Sequence, residues 1–257
     1  MEASRVRGWA TGRRIGLLAG GAVVAGLLVA VQQWHQQPAD GAHDEGRPDA
    51  YRVVGDGDLP TSRPPLGAPR DALSPEEVGY AIHLATSDTS IPTSTRDVLG
   101  KAGPEVLLVG LPDEETAGRR IAVVSLYDYA ADRGYQQRVD LASGAVTSRH
   151  ARGLQATISP TEAEVAIQIA IDQSAGLRFA TEFEAAQGAP LVAPEQVHFV
   201  AGTFRFDGST LAGDACGRQR CAQLLLQLPS GAYLNTSDFV VNLSTRDVVR
   251  INAGAAR

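Results

Sequence analysis

No catalytic signature stands out in this sequence. It lacks a Ser/His/Asp arrangement, a phosphate-cradling glycine loop and an H-E-x-x-H motif, so the usual sequence grounds for those chemistries are missing. Cysteine is scarce: Cys216 and Cys221 are the only two in 257 residues. Two thiols with no histidine close by do not complete a tetrahedral metal site. The five histidines, His35, His43, His83, His150 and His198, are scattered along the chain. The formal net charge is −6, and basic residues beyond the N-terminus form no run, which argues against nucleic acid as a partner. On these grounds no residue is assigned a catalytic, cofactor-binding or metal-binding role.

What is present begins at the N-terminus. Arg5, Arg7, Arg13 and Arg14 precede an uninterrupted apolar and small-residue run over residues 15–31, flanked by Trp9 and Trp34. As a helix the run spans roughly 25 Å, near the lower limit for crossing a bilayer. Arginines on one side only place the N-terminus in the cytoplasm and the remainder outside. A signal anchor is the favoured reading. A cleaved signal processed after Leu28-Val29-Ala30 is the alternative, giving a secreted product. The stretch Gly12-Arg13-Arg14-Ile15-Gly16-Leu17 partly resembles a twin-arginine export signal, with Gly16 where a bulky apolar residue is usual.

The expected organisation is a basic segment at 1–14, a membrane span at 15–31, a linker at 32–72, and two small α+β domains at 73–152 and 153–257. The linker carries Pro38, Pro48, Pro60, Pro64, Pro65 and Pro69 among many Gly and Asp residues, a composition that buries too little apolar surface to offset its ordering entropy.

The two-domain reading rests on an internal repeat. Leu73-Ser74-Pro75-Glu76-Glu77 opens one segment and Ile158-Ser159-Pro160-Thr161-Glu162 another. Each combines an N-cap serine, a first-turn proline and a glutamate three residues after the serine, which together spell a capping box. Val78, Ala81, Ile82 and Ala85 share one helix face in the first copy; Ala163, Ala166, Ile167, Ala170 and Ile171 do so in the second. Strands are expected at 105–109, 120–129, 134–141 and 145–149, then at 197–206, 221–228, 233–243 and 248–251. Turns this short between neighbouring strands make antiparallel hairpins, so each unit is one helix packed on an antiparallel sheet.

With the opening helix, the strand Ala122-Val123-Val124-Ser125-Leu126-Tyr127-Asp128 and the hairpin Arg138-Val139-Asp140-Leu141-Ala142-Ser143-Gly144-Ala145-Val146 in this order, residues 72–252 resemble the tandem cystatin-like domains that precede the catalytic domain of copper amine oxidases. The resemblance implies a fold. It does not carry the activity over, because this chain has neither the Asn-Tyr dipeptide of the quinone site nor the His-x-His pair of the copper site.

Cys216 and Cys221 face three readings. A disulfide pinning a strand entry is favoured; a redox pair, its thiols activated by Arg218 and Arg220, and a metal site are the alternatives. Asp128, Asp132 and Asp140 are expected to serve turns and hairpins. Asn235-Thr236-Ser237 and Asn242-Leu243-Ser244 match glycosylation acceptors. The functional expectation is a non-catalytic, membrane-anchored extracytoplasmic module binding a partner protein or ligand. The alternative is an accessory protein to redox or copper/quinone enzymes, acting through Cys216 and Cys221.

Overall fold

A computed structural model describes residues 59–206 and 211–251. The expected basic segment and membrane span, His35, His43 and most of the linker lie outside the described residues. Among the described residues no helix is long and apolar enough to cross a membrane.

The fold is α+β, with two antiparallel sheets, each carrying packed helices. The first copy starts with α1 (Pro75–Ser87), whose capping box forms as the sequence implies: the Ser74 hydroxyl accepts from the Glu77 N–H and the Glu77 carboxylate accepts from the Ser74 N–H. Its buried face carries Tyr80, Ala81, Ile82 and Ala85 and lies on the sheet β1 (Glu105–Gly110), β2 (Ile121–Asp128), β3 (Arg133–Asp140) and β4 (Val146–Ala151), which follow one another in space as in sequence. Ala122, Val124, Leu126, Tyr135, Val139 and Leu141 complete that core.

The second copy repeats the plan with additions. Its capped helix α2 (Pro160–Asp172) packs on β5 (His198–Thr203), β6 (Cys221–Gln227), β8 (Phe239–Asn242) and β9 (Asp247–Arg250), with β7 (Tyr233–Leu234) paired to β6. The strand expected over 233–243 is broken. Asn235 turns the chain by accepting from the Ser237 N–H and hydroxyl, and the buried Thr236 hydroxyl leaves the ladder to donate to the Leu224 carbonyl. Between α2 and β5 an unexpected helix, α3 (Arg178–Gln187), inserts Phe179 and Phe183 into the core and stops at Gly188, which takes the left-handed conformation a C-terminal glycine supplies.

Residues 66–72, expected to be part of the linker, are fixed to the first helix and sheet. Leu66 packs against its core, the Gly67 N–H donates to Glu77, and the carbonyls of Ala68, Asp71 and Ala72 accept from Arg120. The two sheets belong to one compact unit. Val98, from the loop before β1, and Tyr129, at the end of β2, pack into the core of the second sheet.

Candidate functional site at the seam between the sheets

The first helix-and-sheet copy meets the second through a buried polar cluster. Arg220, immediately before β6, is fully buried and grips Glu162 with two parallel hydrogen bonds, Nε to Oε1 at 2.8 Å and Nη2 to Oε2 at 2.7 Å. Its remaining donors go to the Ala156 and Thr157 carbonyls and to Gln155. The Tyr129 hydroxyl donates to Glu162 at 2.6 Å, and the guanidinium lies 5.8 Å from the centre of the Tyr127 ring. Glu105 of β1 joins the cluster by accepting from the Ser159 hydroxyl at 2.7 Å and from the Val98 N–H.

The electrostatics follow from this packing. Arg220 is matched with Glu162, whereas Glu105 accepts only from the neutral Ser159 hydroxyl and Val98 N–H and so bears the desolvation cost of its burial. Burial, with the nearby Glu162 charge adding to it, raises the Glu105 carboxyl above its ordinary value. Burial also raises the Tyr127 and Tyr129 phenols, helped by Asp132 and Glu162 respectively, so both stay protonated at ordinary pH. The cluster holds backbone in place through the carbonyls of Ala156 and Thr157 and the N–H groups of Val98 and Ser159.

Above it runs an open cleft of about 430 Å³ lined by Ala130, Ala131, Asp132, Arg152, Ala215, Arg218 and Gln219. A second cleft of about 310 Å³ adjoins it, lined by Gly153, Gln155, Arg205, Phe206, Cys216 and Gly217. The walls meet where Gly153 passes Gly217: a Cβ on Gly153, whose φ is +72°, would lie 2.8 Å from the Gly217 carbonyl oxygen. Only glycine fits both the conformation and the gap.

Cys216 and Cys221 are joined in a disulfide. Both are buried, under Phe204, Phe206, Val240, Val249 and Ile251. That burial disfavours the redox alternative, since exchange needs access for an attacking thiolate. Arg220, a thiol activator under that alternative, is committed to Glu162; Arg218 lies exposed in the cleft.

The other candidates disperse. His83 is half-buried on α1, His198 is exposed on β5, and His150 is exposed beside the Tyr135 ring. Asp128 accepts from the N–H groups of Arg96 and Ala130, Asp140 from those of Ala142 and Ser143, and Asp132 from the Tyr127 hydroxyl, so all three serve turns or packing. Asn242 is buried and bonded to Gln219, Ser244 and Thr245, which disfavours glycosylation there. Among the described residues no group of three or more His, Cys, Asp or Glu side chains could hold a metal ion.

Sequence reasoning missed the Arg220–Glu162 pair. The signal was present in the repeat: Arg120 and Arg220 each stand one residue before the second strand of their copy. No protein-family model and no curated protein matches this chain.

Proposed function

We propose that this chain is a non-catalytic, membrane-anchored module that binds a partner protein or ligand outside the membrane. The observation that carries the reading is the contrast between two sets of charges at the seam. The buried set, Glu105, Glu162 and Arg220, is saturated by contacts that fix chain segments and domain packing. The exposed set, Arg152 and Arg218, faces an open cleft in which Asp132 is the one lining carboxylate. Rigid walls with unsatisfied donors suit recognition. The anchor rests on the one-sided arginines and the apolar run over 15–31, and the likeness to cystatin-like domains of copper amine oxidases supports an accessory architecture without their chemistry.

The test is made in two steps on the full-length chain. Alkaline phosphatase fused after residue 60 should be active, and an inactive fusion would overturn the orientation. Crosslinking in intact membranes should then trap a discrete partner that co-purifies with the protein. Recovery of the protein alone, across crosslinker lengths, would overturn the binding reading.

A further inference from the structure

The arginines at the seam are held as a receptor for carboxylates would require. Arg218 sits inside the short loop closed by the Cys216–Cys221 disulfide, where the N–H groups of Arg218 and Gln219 both bond to the Ala215 carbonyl. Arg152 directly precedes Gly153, whose close passage against Gly217 ties the end of the first domain to that loop. Two further bonds secure the same region: Gln155 donates to the Gln219 carbonyl at 2.9 Å, and Asn242 donates to the Gln219 side chain at 2.8 Å. The backbone under both guanidinium groups is therefore fixed from several directions.

Their heads are not spoken for. Among the described residues, Arg152, Arg205 and Arg218 have no ion-pair or side-chain hydrogen-bond partner. This separates them from Arg120, Arg138 and Arg220, each of which is matched with a glutamate. Asp132 already accepts from the Tyr127 hydroxyl at 3.3 Å, and with two arginines against it the lining stays positive. Arg205 continues the positive character into the adjoining cleft.

We propose that the two clefts form a docking groove for an acidic peptide segment of a partner protein, with its carboxylates held by Arg152 and Arg218 and a further one by Arg205. A guanidinium offers two parallel donors that match a carboxylate, and a pair of adjoining clefts suits successive side chains of one extended segment. The net charge of −6 disfavours an extended polyanion or an anionic membrane surface at long range, whereas a short acidic segment presents few charges and meets the arginines locally. This assignment rests on the partner-binding reading above and names the chemistry of that partner.

The experiment uses detergent-solubilised full-length protein and a fluorescein-labelled peptide of alternating Glu and Ser, with a Gln-for-Glu peptide as its neutral match. Fluorescence anisotropy should show binding of the acidic peptide and at least about tenfold weaker binding of the neutral one. Arg152→Glu/Arg218→Glu should weaken the acidic peptide by about tenfold or more, while Arg178→Glu, at an exposed position of α3, leaves it unchanged. Circular dichroism melting must be unaltered in both variants. Arg152→Lys/Arg218→Lys keeps the charge without the fork and should give an intermediate loss.

Equal binding of the two peptides, equal loss on Arg178→Glu, or no binding up to about 1 mM would overturn the proposal. Binding of free glutamate or citrate as tight as that of the peptide would overturn the peptide assignment in favour of a small carboxylate ligand. The membrane crosslinking experiment separates the two levels. A partner captured equally by wild type and by Arg152→Glu/Arg218→Glu sinks the groove and leaves the module reading standing; absence of any captured partner sinks the module reading itself.

Discussion

Arg120 and Glu77 in the first copy of the repeat stand in the same relation as Arg220 and Glu162 in the second. In each pair Nε donates to Oε1 at 2.8 Å, and Nη2 donates to Oε2 at 2.6 Å in the first and 2.7 Å in the second. Each arginine also collects carbonyls from the segment leading into the helix, and each gives its own carbonyl to a leucine N–H, Leu141 in one copy and Leu243 in the other. The capping-box glutamate thus has a second duty. It completes the N-terminus of its helix and anchors the arginine that straps the incoming chain to the sheet.

Truncating either arginine should be costly. Arg220→Ala leaves Glu162 buried without its counter-charge and takes a donor from the Thr157 carbonyl and the Gln155 side chain, while the Ala156 carbonyl keeps the Thr203 hydroxyl. Urea denaturation should show a loss of about 3–5 kcal/mol, the range for breaking a buried pair from one side. Arg120→Ala should act likewise and also release residues 66–72, seen as new proteolytic cleavage there. A loss under about 1 kcal/mol in both would show that the forks contribute little beyond their desolvation.

Much of this architecture was legible in the sequence, because its signals are local. Ser74-Pro75-Glu76-Glu77 and Ser159-Pro160-Thr161-Glu162 announce their helices within one turn, and the β-branched runs announce most strands. The arginine forks were not legible in that way, since partners 43 and 58 residues apart meet only once the sheet forms. Helix α3 was missed because Leu177 supplies no side-chain cap; its remaining signals were the Phe179/Phe183 spacing and Gly188. The split at Asn235 was obscured by apolar residues on both sides of a turn that side-chain hydrogen bonds enforce. The cleft arginines carried no signal beyond their identity, because β4, the β2–β3 turn and the disulfide loop converge only in space.

Two glutamates should give the stability curve opposite slopes. The Arg120 fork, aided by backbone N–H donors, lowers the Glu77 carboxyl from 4.5 to about 2. Its contribution is present above pH 4.5 and disappears as pH falls through about 2, a swing of roughly 3 kcal/mol. Glu105 runs the other way. Its carboxyl is raised by burial, so the folded state holds the proton more tightly, and stability declines as pH rises from 4.5 through the raised value. Urea titrations across pH should therefore lose the acid limb in Glu77→Gln and the higher-pH decline in Glu105→Gln. Unchanged slopes in either variant would refute that assignment.

Gly153 offers a test of the seam that leaves every charge in place. Alanine there meets a φ of +72° and a carbonyl oxygen at 2.8 Å, neither of which a flexible side chain can relieve. Gly153→Ala should cost about 1–3 kcal/mol in urea denaturation, combining left-handed strain with overpacking. Gly188→Ala, with a φ of +74° and no neighbour within 4 Å of its added Cβ, isolates the strain alone and should cost less. Equal losses in the two variants would show that the Gly153–Gly217 approach is not tight in solution.

The disulfide separates a structural role from a redox one. Cys216 and Cys221 are five residues apart, so the closed loop is short and chain entropy assigns the bridge only about 2 kcal/mol. For a folded unit of this size that corresponds to a fall in Tm of roughly 4–8 °C. Cys216→Ala/Cys221→Ala should show this fall, since alanine leaves no polar group unpaired under Phe204, Phe206 and Val240. Because Arg218 rides on the same loop, acidic-peptide binding should weaken in the variant even at temperatures where the protein stays folded. A redox function predicts another pattern: an unchanged Tm, unchanged peptide binding and loss of function in cells. That result would move the functional site from the arginine cleft to the cysteine pair itself.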